Sequence, residues 1–331
     1  MGAMSDVVWN LSGVTLSGRD RPRLDDVSLA ISAGVTAVMG SSGAGKSSLL
    51  GLLADFEQPD AGSVEFAASE SASDLPLFWS PQDDGLWPHL TAEQHIEFVL
   101  PSQSKLNRSA VEWLELFSLE ELKHALPDSL SQGERSRLAT ARGLASEAVV
   151  LVLDEPLVHV DPLLAYRCWQ IIAEHIDRCG TTVVFSTHDP DAVLKYAGNI
   201  VCLDKGCIAF AGAVNELYFD PPTKELAWLL GPCNWLGEED LEGVETYVET
   251  RRPHVCVRPS KLALVRDANA PFVVESFSKA AVVTEFRIRE RETGRQLDIF
   301  VSQCCHDLGI GDAVRVVVDP AAQRSRGVES G

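Results

Sequence analysis

Residues 40–48 read Gly40-Ser41-Ser42-Gly43-Ala44-Gly45-Lys46-Ser47-Ser48, and no other stretch constrains the fold as tightly. The pattern G-x-x-x-x-G-K-[ST] cradles phosphates only when it joins a buried strand to a helix. Both flanks fit. Residues 35–39 are a short apolar, β-branched run of strand type, and residues 48–54 read as a helix. The glycines allow consecutive backbone N–H groups to converge on phosphate oxygens. The helix N-terminus adds a partial positive charge. Lys46 is placed to reach the β- and γ-phosphates of a nucleotide, and the Ser47 hydroxyl to hold Mg²⁺, a hard ion that takes oxygen ligands.

The 331 residues allow one large domain and a smaller one. No stretch approaches the roughly 18 apolar residues of a membrane span. The start, Met1-Gly2-Ala3-Met4-Ser5-Asp6, has neither the basic region nor the apolar core of a signal peptide. A net charge of −20 argues against a nucleic-acid partner, which requires a basic patch, and against direct binding to anionic lipid. Membrane attachment is therefore expected to run through a protein partner. The eight cysteines all lie from Cys168 onward without C-x-x-C spacing, which favours reduced, partly buried thiols over a metal site. Cys304-Cys305-His306 is their one close cluster.

Along the chain, residues 7–16 and 24–31 read as paired strands, with short strands expected at 63–66 and 75–79. Residues 91–145 read as helical, with capping boxes at Ser118/Glu121 and Ser131/Glu134. The second box opens a helix over 132–144. Residues 148–153 form an apolar run ending in Asp154-Glu155, as in a parallel strand covered on both faces. Asp161-Pro162 and Asp189-Pro190 each pair an N-cap with Pro at the first helical position. Residues 181–185 form the strand between them and lead into His188. A hairpin is expected over 199–203 and 207–211, followed by a helical turn at 214–217 and a helix at 222–230. Beyond residue 236, strand-like pieces recur at 254–257, 262–265, 280–288, 296–301 and 313–318, with few helical signals. They suggest a small β-barrel of the oligonucleotide/oligosaccharide-binding type.

Parallel strands deliver side chains at their C-terminal ends, where ligands bind. Asp154 is thus placed to hold Mg²⁺, directly or through water, and Glu155 to act as general base on a water attacking a phosphoryl group.

Taken together, these motifs resemble the ATP-binding subunit of an ABC transporter. Leu130-Ser131-Gln132-Gly133-Glu134 resembles the signature Leu-Ser-Gly-Gly-Gln. Gln82 matches the glutamine loop, and the Pro-His-Leu-Thr that follows at 88–91 is close to the importer pattern. His188 matches the switch histidine and Asp161 the D-loop aspartate. The implied fold is α/β, a P-loop NTPase cassette of mixed sheet over residues 5–235 with a helical insert at about 84–145. A small β regulatory domain over 236–320 and a disordered tail at 321–331 complete the layout. Glu216 to Pro221, Gly231 to Leu236 and Arg258-Pro259 resemble the linker and barrel of importers for sugars, polyamines, ferric iron, sulfate or molybdate.

The resemblance implies an ATPase whose cofactors are ATP and Mg²⁺, with Ser47, Gln82 and Asp154 around the metal. Glu155, His188 and Gln82 are the implied catalytic group. Two copies, or one copy and a paralogous ATPase, would close head to tail. Ser131, Gly133 and Glu134 of each would then meet the γ-phosphate on the other's Lys46. The helical insert and the loop after Gln82 would receive a membrane permease, with an extracytoplasmic binding protein engaged indirectly. The chain would then sit at the cytoplasmic face of the membrane. An exporter subunit, or a non-transport ATPase acting on ribosomes or DNA, is the alternative. Three departures stand out. Leu16 lies near the usual place of an adenine-stacking aromatic, with Trp9 too early in the strand. Gln132 replaces a signature glycine, and Val158-His159-Val160-Asp161 replaces Ser-Ala-Leu-Asp.

Overall fold

A computed structural model describes residues 7–67, 75–241, 244–245, 254–280, 282–302 and 308–318. The tail at 321–331 and the Cys304-Cys305-His306 cluster lie outside them. The chain divides into two compact units, Met1–Val214 and Asn215–Gly331. Residues 215–235, read above with the ATPase, pack with the second unit.

In the first unit, β1 (Val7–Leu16) and β2 (Leu24–Ser32) pair antiparallel, as their alternation predicts. Next come β3 (Val35–Gly40), α1 (Lys46–Leu53), β4 (Ala61–Phe66) and β5 (Leu77–Ser80). β4 joins the far side of β1, closing a three-stranded antiparallel sheet. β3 instead enters a six-stranded sheet with β5, β6 (Val150–Leu153), β7 (Thr182–Ser186), β8 (Asn199–Asp204) and β9 (Cys207–Ala213). The order is β5-β6-β7-β3-β8-β9, parallel except for the final hairpin. β6 and β7 are buried at every position, which is why they read as unbroken apolar runs.

The helices follow their capping chemistry. α2 (Ala92–Glu97), α3 (Ala110–Leu116) and α4 (Gln132–Ala145) open on full capping boxes at Thr91/Gln94, Ser109/Glu112 and Ser131/Glu134. The box expected at Ser118/Glu121 does not form. Ser118 has φ +53, and only a 3₁₀ turn at Glu120–Leu122 follows. Asp161 caps α5 (Pro162–Cys179) and Asp189 caps α6 (Pro190–Tyr196), each with Pro at the start.

The second unit opens with α7 (Val214–Phe219) and α8 (Lys224–Leu229), followed by β10 (Asn234–Gly237), α9 (Glu238–Leu241) and β11 (Val244–Glu245). Then come β12 (His254–Val257), β13 (Leu262–Arg266), β14 (Phe272–Lys279), β15 (Val283–Glu290), β16 (Gln296–Ser302) and β17 (Ala313–Val318). β14 to β17 are joined antiparallel in the order β17-β14-β15-β16, and β13 adds to β17. Phe272, Phe286, Ile288, Ile299 and Val316 fill their own core. The result is a small barrel-like β domain. Buried Arg258 binds it to the helices before it. Its Nε donates to the Tyr218 carbonyl (3.0 Å), and Nη1 donates to the carbonyls of Ala227 (3.1 Å) and Gly231 (2.9 Å). Its guanidinium also stacks over the Tyr218 ring.

His175 on α5 is 1% exposed, and burial lowers its pKa from 6.5 to about 4. The folded state thus keeps it neutral while the unfolded chain protonates near 6.5. Stability from this group is complete above 6.5 and falls toward pH 4 by about 1.4 kcal/mol per pH unit. Chemical denaturation of His175→Gln at pH 7 and pH 5 should show a shallower loss than wild type, by about 2 kcal/mol. Parallel losses would show that His175 is not buried neutral.

Candidate functional site

Three parallel strands end at one sheet edge, and each delivers part of the site there. β3 runs into the phosphate loop, whose residues Ser41, Ser42 and Gly43 are exposed while Ala44 is buried. Gly45 has φ +109, and a Cβ there would stand 2.5 Å from the Arg23 carbonyl oxygen. Only glycine can therefore turn the chain into α1 at this point. Ser47 is exposed and Ser48 is buried in the first turn of α1. Lys46 is 6% exposed. Its Nζ donates to the carbonyls of Gly40 (3.0 Å) and Ser41 (3.3 Å) and stands 3.1 Å from His188 Nε2. Burial lowers the Lys46 pKa, and the nearby Glu155 and Asp154 carboxylates oppose that shift.

β6 delivers the acids. Asp154 is buried, and its Oδ1 accepts from Ser186 Oγ at 2.5 Å. The same Ser186 oxygen accepts from the Glu155 N–H at 2.8 Å. Glu155 sits in the left-handed region at φ +51, a strained backbone for a non-glycine residue. Its carboxylate is held from two sides. Oε2 accepts from Gln82 Nε2 (3.3 Å), just past β5, and Oε1 stands 2.9 Å from His188 Nε2, just past β7. His188 Nε2 thus faces a donor, Lys46, and an acceptor, Glu155. It can accept from Lys46 when Nδ1 carries the proton, or donate to Glu155 when Nε2 does.

The structure thereby brings Lys46, Gln82, Asp154, Glu155 and His188 together. Ser131, Gly133 and Glu134 form a second group. Ser131 Oγ accepts from the Glu134 N–H (3.3 Å), and Glu134 Oε2 accepts from the Ser131 N–H (2.7 Å). That N–H donor lowers the Glu134 pKa. Gly133 abuts the D-loop of its own chain, since a Cβ there would lie 2.7 Å from the His159 carbonyl oxygen. Asp161 Oδ1 accepts from the Leu164 N–H at 3.0 Å as the cap of α5.

Three residues beyond those motifs tie the parts together. Ser186 positions both acids. Ser136 on α4 accepts from the Leu157 N–H (3.0 Å) with its Oγ, joining the signature helix to the chain after Glu155. Buried Arg142 donates to the carbonyls of Gly85 (2.9 Å) and Asp84 (3.2 Å) and stacks on Phe78 and Trp87. Burial lowers its pKa to about 10, so it stays cationic. Asp84 also pairs with Arg135 at 3.5 Å. Ser186, at the end of a strand beside the Asp-Glu strand, was findable from its place two residues before His188; nothing in the sequence marks a buried Arg142.

Known proteins resemble this chain. Residues 24–158 match the ABC transporter family. The putrescine transport ATP-binding protein PotG of Escherichia coli is 33% identical over 291 residues, covering 78% of this chain and 77% of PotG. The chain belongs to the ATP-binding proteins of ABC transporters. The sulfate/thiosulfate import ATP-binding protein CysA of Synechococcus elongatus is 33% identical over 251 residues, covering 73% of each chain. A dimeric ATP-binding cassette in a post-hydrolysis state, bound to ADP and Pi, superposes with a TM-score of 0.54 at 25% identity. That alignment covers 62% of this chain and 98% of the cassette. This ABC ATPase therefore binds and hydrolyses ATP through the expected fold.

Ser186→Ala should leave the buried Asp154 carboxylate short of a donor. We expect urea unfolding to show a loss of about 1–3 kcal/mol, and ATP turnover to fall at least tenfold. Unchanged turnover would remove Ser186 from the site.

Proposed function

We propose that this ABC ATPase energises an importer of a small solute or ion through a separate permease. The single observation that carries the mechanism is the Glu155 carboxylate held between Gln82 and His188, beside Lys46. The loop 40–48 would seat the phosphates of ATP, with Lys46 on the β/γ end. Glu155 would take a proton from the attacking water, and its two supports would aim the carboxylate. His188 can switch between Lys46 and Glu155 as its tautomer changes, and would contact the γ-phosphate. The oxygen-rich set of Ser47 hydroxyl, Asp154 carboxylate and Gln82 amide fits Mg²⁺, a hard cation. Mg²⁺ there would neutralise charge building on the phosphates.

The signature group makes its hydrogen bonds within itself, at the N-terminus of the 14-residue helix α4. A helix N-terminus favours an anion. That supports a head-to-tail pair in which Ser131, Gly133 and Glu134 meet the ATP of a second copy or a paralogue, with Asp161 at the same face. The loop after Gln82 and the helices α2 to α4 would form the permease groove, where Phe98 is 74% exposed. Among the described residues no helix is long and apolar enough to cross a membrane, so attachment at the cytoplasmic face would run through that groove. The relatives named for putrescine, sulfate/thiosulfate and Fe(3+) import support a polyamine, oxyanion or ferric iron as cargo, and a sugar is carried only by the sequence resemblance. A binding protein outside the membrane would deliver it. We assign residues 5–235 to the ATPase and 236–320 to a regulatory barrel, with 215–235 as the connecting segment.

Glu155→Gln should keep ATP binding while turnover falls about 10²–10⁴-fold, and it should accumulate as an ATP-dependent dimer in size-exclusion chromatography. Turnover within twofold of wild type would rule out Glu155 as the base.

A further inference from the structure

We propose that the Arg21 guanidinium is the flat surface on which the base of the bound nucleotide stacks. This rests on the ATP reading above and adds a residue to it. The two β1 positions near the expected stacking place, Leu16 and Trp9, are both buried. Leu16 is 2% exposed and lies in the core with Leu24 and Val27. Trp9 is 1% exposed, and its Nε1 donates to the Leu53 carbonyl at 3.1 Å. Neither side chain can present a face to a ligand.

The nucleoside end of the phosphate loop is nevertheless covered. Lys46 marks the β/γ end, so the proximal phosphate and the nucleoside leave on the other side, past Ser48 in the first turn of α1. The turn after β1 borders that side. Arg23 Nη1 lies 3.4 Å from Ser48 Oγ, and Arg21 Nη2 donates to the Gly43 carbonyl at 3.1 Å. Lys46 holds the Gly40 and Ser41 carbonyls while Arg21 holds that of Gly43, so the two cations engage different parts of the loop.

The turn is fixed by its own bonds. The Ser17 N–H donates to Asp60 Oδ2 (2.6 Å), the Arg23 N–H to the Leu16 carbonyl (2.8 Å) and Arg23 Nε to the Ser17 carbonyl (3.0 Å). The two arginines differ in availability. Arg23 is committed to Glu57 through both Nη atoms, at 2.9 and 2.5 Å. Arg21 is exposed, and among the described residues it has no carboxylate partner. Its hydrogen bond lies in the plane of the guanidinium and leaves the π-faces open. A planar, weakly hydrated guanidinium stacks on any base, with a cation–π contribution.

The test separates base from phosphate. Binding of ADP and of inorganic pyrophosphate is measured calorimetrically on the full chain and on Arg21→Ala and Arg21→Tyr. The expected result is that Arg21→Ala weakens ADP by about 5- to 150-fold and leaves pyrophosphate within twofold, and that Arg21→Tyr restores ADP. Pyrophosphate binding also reports that the variant is folded. Equal weakening of both ligands would make Arg21 a phosphate contact and overturn the proposal, as would unchanged ADP binding by Arg21→Ala. If wild type bound neither ligand, the nucleotide reading itself would fail instead.

Discussion

The site depends on one constraint, that parallel strands buried on both faces end together at one edge of the sheet. β3, β6 and β7 are neighbours through parallel pairing, so the residues immediately after each must meet. That is why Lys46, Asp154, Glu155 and His188 converge from positions far apart in sequence. Gln82 joins from β5, the next strand out. None of these side chains sits on a free loop; each follows a strand or opens a helix. The one backbone anomaly in the group, Glu155 at φ +51, falls where the carboxylate is turned toward Gln82 and His188.

A second layer of contacts joins this edge to the helical insert. Arg142 holds the loop after Gln82 through two carbonyls, Asp84 pairs with Arg135, and Ser136 holds Leu157. All three anchors on the insert side lie on α4, the helix that Ser131 opens. The loop after Gln82 is thus tied to the signature helix through polar contacts. The cationic Arg142, buried against Phe78 and Trp87, is the costliest of these to disturb, because losing its carbonyl partners would leave a charge unpaired.

Most of the placement of the candidate site was legible because the proposed chemistry needs particular residues at particular ends of elements. Gly45 is required by backbone geometry, and the Asp-Glu pair by a strand terminus. The same logic placed the caps at Ser131, Asp161 and Asp189. It failed at Ser118, where the S-x-x-E pattern is present but the chain behind it continues for only a 3₁₀ turn. The local pattern cannot report that α3 has just ended there. β14 was missed for a different reason. Phe272 and Val274 alternate inward, but a register shift between Val274 and Ser276 breaks the period, and the second half of the strand is exposed. Arg142 and Ser136 were invisible because burial of a polar side chain is a tertiary fact, and Arg21 because its meaning lies in what Leu16 and Trp9 do not offer.

If Gln82 and His188 jointly hold the Glu155 carboxylate during hydrolysis, the two act as one device. A double-mutant cycle on single-turnover ATP hydrolysis, with Gln82→Ala, His188→Ala and the pair, tests it most directly. Non-additivity is expected: the double variant should be about as slow as the slower single variant. Losses that multiply would show two residues working independently and would contradict the shared carboxylate as the basis of the mechanism.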